Sequence, residues 1–92
     1  MSSAIDSKAV FVQRVKSIGL ADYLEKFEQH GFSTLADFAF CGNYTPGAPD
    51  DAKFLIEAKK ILGVELPKIN PLRRLHFEAY TLLQADMRRQ IE

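Results

Sequence analysis

Apolar residues recur along this chain at helical spacing, and the strict alternation of a half-buried strand is nowhere sustained. Phe11, Val15 and Ile18 fall at i, i+4 and i+7; Ser7 is placed to cap this first helix, and Gly19 can take the left-handed turn that ends it. A second helix is predicted over about 21–30, with Leu20, Leu24 and Phe27 facing inward, Tyr23 beside them and Gly31 as the stop. Ser33 is expected to cap a short third helix, where Leu35, Phe38 and Ala39 pack and Asp37 stabilises the first turn.

Gly42, Asn43, Pro46, Gly47 and Pro49 then break the helical pattern. Asp50 or Asp51 opens a fourth helix with an apolar stripe of Phe54, Leu55, Ala58, Ile61 and Leu62, and Gly63 closes it. A connector stiffened by Pro67 leads to Asn70-Pro71, a helix start in which Asn accepts from exposed amides and Pro loses no needed donor. The last helix is expected to run to about Gln90, roughly 30 Å at 1.5 Å per residue. Leu72, Leu75, Ala79, Leu82, Leu83 and Met87 project to one side of it, while Arg74, Glu78, Thr81, Ala85, Arg88 and Arg89 lie mostly on the other. Phe77 falls at the edge of the polar side. The prediction is an all-α, five-helix bundle in one domain, with 1–6 as a flexible lead-in and 41–49 as a Pro/Gly loop.

At 92 residues the chain has room for one core. An apolar content of 47%, with seven Phe and three Tyr, is enough to build it, so the chain is not of the disordered class. The single Cys41 excludes an intramolecular disulfide and a cysteine-rich zinc site, and it fits a reducing compartment. No apolar run approaches the roughly 20 residues that span a bilayer, and the first residues lack the basic start and apolar stretch of a signal peptide. These features lead to the expectation of an intracellular domain, cytoplasmic or nuclear, with no membrane partner.

A formal net charge of zero conceals a split. Residues 20–51 carry six acids (Asp22, Glu25, Glu28, Asp37, Asp50, Asp51) against Lys26 alone, whereas residues 53–92 hold eight bases and five acids. An acidic middle and a basic end can attract a second copy head to tail, although charges also simply solvate a surface.

Catalytic chemistry finds no support in the spacing. His30 and His76 are far apart and neither has a second imidazole or thiol at ligand spacing; His30 suits a helix C-terminus and His76 a packed ring. Cys41 has no neighbouring base to form a thiolate. The Asp50-Asp51 pair is explained by capping, and the Gly42–Gly47 loop lacks the Lys and Ser/Thr of a phosphate loop. The expectation is no enzyme, no metal and no cofactor.

The residues from Val15 to Leu35, with Ile18-Gly19-Leu20, Tyr23, Phe27, Gly31-Phe32 and Leu35 as landmarks, resemble a sterile alpha motif domain. Leu62-Gly63-Val64 and Arg73-Arg74-Leu75 match that family's later landmarks; the loop at 41–49 and the extended last helix depart from it. The resemblance implies protein binding, often self-association, through two unlike surfaces. Asp22, Glu25, Asp37, Asp50 and Asp51 would supply the acidic one, and Lys68, Arg73 and Arg74 the basic one, with Phe77 or Phe40 as an apolar anchor. A second resemblance, through Tyr44-x-Pro46-Gly47, Asp50-Asp51 and Arg73-Arg74-Leu75-x-Phe77-Glu78-Ala79, is to uncharacterised segments of mobile-element or virus-like polyproteins, and it implies no residue role. The alternative to self-assembly is nucleic-acid binding, or a structural particle component, with Arg73, Arg74, Arg88 and Arg89 on the last helix as phosphate contacts. A further alternative is docking of the last helix's end, 85–91, to a partner helix or a second copy.

Overall fold

A computed structural model describes residues 4–91 of the chain, with side chains over 5–88. Its described residues form five α-helices and three 3₁₀ turns, in the order turn Ala4–Asp6, α1 Lys8–Ser17, turn Ala21–Tyr23, α2 Leu24–Gln29, α3 Leu35–Ala39, turn Cys41–Asn43, α4 Ala52–Leu62 and α5 Ile69–Ile91. The all-α bundle read from the apolar spacing is the observed architecture.

Local chemistry accounts for most boundaries. The Ser7 hydroxyl accepts from the Val10 amide at the start of α1, satisfying a donor that has no intrahelical partner. Gly19 and Gly31 sit at φ 91° and 84° and turn the chain out of α1 and α2 in a region open to glycine without strain. The cap of α3 lies one residue later than expected. Thr34, not Ser33, accepts from the Asp37 amide, while the Asp37 carboxylate reaches back to the Ser33 amide at 3.2 Å. α5 also begins earlier than Asn70: Lys68, at φ 58°, turns the chain and its carbonyl accepts from the Leu72 amide. Pro71 stays within the first turn, where its missing N–H costs nothing.

Phe11, Phe27 and Phe38 form the centre of the core, the Phe11–Phe27 and Phe27–Phe38 rings meeting edge to face at 5.5 and 5.4 Å. Leu20, Leu35, Phe54, Ile61, Leu72 and Leu75 close around them. α3 lies along the first half of α5, and α4 packs on the turn that follows α3. That turn is tight: a Cβ on Gly42 would stand 2.7 Å from the Phe54 amide nitrogen, so only glycine lets the two backbones approach.

Three regions take a more definite form than the spacing predicts. Within the lead-in, Ile5 is buried in the core on its own 3₁₀ turn, and 1–3 lie outside the described residues. The Pro/Gly loop is packed: the Tyr44 ring lies 5.3 Å from Phe54 and 5.7 Å from His76, and its hydroxyl donates to the Ala48 carbonyl. The inner stripe of α5 is buried only as far as Ala79. Leu82 and Met87 are 41% and 48% exposed, because the helix outruns the elements that cover its first half.

Candidate protein-interaction surface

The first turns of α5 position the basic residues, and they treat adjacent arginines differently. Arg73 Nη2 donates to Asp51 Oδ2 at 2.6 Å, and its guanidinium lies 5.4 Å from the centre of the Phe54 ring. Both partners are about one-third exposed, so this is an internal tie between α4 and α5. One residue on, Arg74 is exposed and makes no hydrogen bond or ion pair among the described residues. It shares a shallow hollow of about 300 Å³ with Phe77, Glu78, Thr81 and Leu82. Phe77 is 60% exposed there, so it is not a core residue.

The predicted basic set is therefore divided. Lys68 reaches away from Arg74 and donates to the Gly19 carbonyl at 2.9 Å, against the α1–α2 hinge. The predicted acidic set divides too. Asp51 is bound to Arg73, and the neighbouring Asp50 accepts from the Ala52 amide at the start of α4. Asp22 and Glu25 are exposed on the 3₁₀ turn and α2, and Asp37 is exposed on α3. The two signs are thus not wholly segregated, since Asp51 and Arg73 neutralise each other within one molecule.

A second apolar patch forms where α5 leaves the bundle. Phe40, 59% exposed at the end of α3, meets Tyr80, Leu83 and Met87 around a hollow of about 330 Å³, with Gln84 and Arg88 at its edge. The Arg89 side chain lies outside the described residues.

The titratable side chains of the interior are packed and hydrogen-bonded. His76 is buried beside Phe38, Phe54 and Tyr44, and its Nε2–H donates to the Ala39 carbonyl at 3.2 Å, which sets the tautomer. Burial holds its pKa below the ordinary value, and the nearby Arg73 charge adds to the effect. Burial likewise pushes the Cys41 thiol up to about 12, with Glu57 contributing, so it carries no thiolate at neutral pH. On α1, Arg14 forks onto Glu78 through bonds of 2.6 and 2.8 Å, and that hydrogen-bonded pairing holds the guanidinium pKa above its usual value. His30 is exposed at the end of α2. Among the described residues no three His, Cys, Asp or Glu side chains converge as metal ligands, and no helix is long and apolar enough to cross a membrane.

Comparison with protein-family models, curated proteins and solved structures returned no match.

Sequence reasoning missed one feature of the surface: an apolar notch between α1 and α2 lined in part by Phe11, Val12, Leu24 and Phe32. Val12 projects beside the Phe11–Val15 stripe, which was the available signal. Whether such a flanking residue is covered depends on how closely the neighbouring helix approaches.

Proposed function

We propose that this chain is a non-catalytic interaction module of the sterile alpha motif kind that self-associates head to tail. The observation that carries the reading is the Arg74–Phe77 patch: an exposed aromatic one helical turn from an arginine with no partner of its own among the described residues. Interface centres are enriched in aromatic residues and in arginine. The counter-surface we assign to the exposed acids Asp22, Glu25 and Asp37 on the 3₁₀ turn, α2 and α3; Asp51 and Arg73 drop out of the contact because they hold α4 to α5. A contact between unlike surfaces leaves one free surface at each end of a pair, so it builds a ring where the rotation closes and a filament where it does not. We place the module inside the cell, cytoplasmic or nuclear, because a lone buried cysteine suits a reducing compartment.

Light scattering across protein concentration, at low and high salt, tests this. The mass is expected to climb with concentration and to fall with salt, since the charged part of the contact is exposed and screened. A monomer throughout rejects self-association.

The patch of Phe40, Tyr80, Leu83 and Met87 favours a second reading, an apolar contact with a partner helix, which a salt-insensitive dimer would support. Nucleic-acid binding is weaker: with Arg73 committed to Asp51, Arg74 and Arg88 stand about four turns apart on α5, with Glu78 and Asp86 between them.

A further inference from the structure

The notch between α1 and α2 has walls of Phe11, Val12, Leu24 and Phe32, with Lys8, Glu28 and Ser33 at its rim, and is a half-open recess of about 170 Å³. An apolar cavity of about 150 Å³ accepts a benzene ring, so this one has the size and lining for a single phenyl group. Its rim is acidic. Glu25 lies one turn before Glu28 on α2, and Asp37 holds the amide of the rim residue Ser33. Lys8 offsets only part of this charge, through an exposed 3.3 Å pair with Glu28.

The notch also faces away from α5. At 100° per residue, Lys8 and Val12 project from one flank of α1 and Arg14 from the other, and Arg14 is the residue tied to Glu78 on α5. Phe77 and the notch of the same molecule are therefore on different sides of α1 and do not meet.

Building on the head-to-tail reading above, we propose that Phe77 of one copy seats in the α1–α2 notch of the next, with Arg74 over Glu25 and Glu28. The occupant follows from complementarity. Phe77 is an exposed phenyl group beside a cation, and the notch is a phenyl-sized apolar recess beside carboxylates. The buried ring supplies the affinity that exposed ion pairs, at about 0–1 kcal/mol each, do not. The Arg74 pairings set register and orientation. Each contact leaves one ring and one notch free at its ends, so the assembly continues.

Mixing two disabled chains tests the pairing. Phe77→Ala removes the ring and keeps the notch; Val12→Arg lays a cationic side chain across the notch and keeps the ring. Each variant alone is expected to remain monomeric with an unchanged helical circular-dichroism spectrum. Their mixture is expected to stop at twice the 10.4 kDa of one chain, since each pair has a dead site at both ends. A mixture that stays monomeric while the unmodified chain assembles overturns the notch and leaves head-to-tail assembly standing. So does Phe77→Ala assembling like the unmodified chain. An unmodified chain that never assembles rejects both proposals. Should Val12→Arg fail to fold, the exposed rim gives a second route. Glu28→Lys and Arg74→Glu should each weaken assembly by about tenfold, and both changes in one chain should restore it. Additive losses in the double variant overturn the pairing.

Discussion

The two halves of α5 carry the same apolar spacing and are treated in opposite ways. From Leu72 to Ala79 the stripe is buried against α3, and His76 completes it through its bond to the Ala39 carbonyl. From Leu82 to Met87 the stripe continues at the same angle, but only Leu83 still packs against the core, while Leu82 and Met87 are exposed. Amphipathic spacing specifies which side of a helix is apolar; the length of the neighbouring elements decides where that side is covered. α3 ends at Ala39, and Phe40 just beyond it stays exposed.

Truncation separates the halves most strongly. Leu75→Ala should cost about 2–5 kcal/mol by opening a cavity in the centre of the core, whereas Leu82→Ala should cost under about 1 kcal/mol. Urea unfolding of both variants measures the difference, and equal losses would show that the outer half is as well packed as the inner one.

A pH titration of stability probes the buried half alone. The folded-state pKa of His76 lies below its unfolded value of 6.5, so between the two the unfolded chain binds more protons. The contribution is fully present above pH 6.5 and is lost as pH falls through the folded value. His76→Gln keeps a donor for the Ala39 carbonyl and removes the titration. The fall in urea midpoint on acidification should therefore be shallower in this variant, and an unchanged slope would assign it to other groups.

The two arginines at the start of α5 sharpen the comparison further. Arg73→Ala removes the Asp51 pair and the contact with Phe54, and should lower stability by about 1 kcal/mol. Arg74→Ala should leave the unfolding midpoint unchanged and weaken association instead. A double charge reversal of both residues would mix the two effects, so the single variants are the informative ones.

The smallest expected effect is that of Met87→Ala, within about 0.5 kcal/mol by thermal unfolding, because the side chain is half exposed on the overhang. A larger loss in concentrated protein than in dilute protein would identify the overhang as a contact between chains.

Much of the bundle could be read from residue order. Ser7, Gly19, Gly31 and Gly63 act within one turn of the backbone, so the limits they set are local and survive any tertiary arrangement. The core positions Phe11, Val15, Phe27, Leu35, Phe38, Phe54 and Leu75 follow from 3.6-residue spacing for the same reason. The candidate surfaces were legible only as residue types. A charge count along the chain places Asp51 with the acids and Arg73 with the bases, and it holds no information that folding brings them to 2.6 Å.

By itself, then, the amino-acid order determined the helices, their stops and the sides they bury, because these depend on neighbours one to four residues away. The tertiary structure decided which charges are already paired, that Phe77 stands free, that Ile5 and Tyr44 join the packed interior, and that a notch opens beside Val12. Those outcomes depend on distances between segments far apart in the chain, such as the separation of 64 positions that the Arg14–Glu78 fork spans, and such distances are set only when the helices pack.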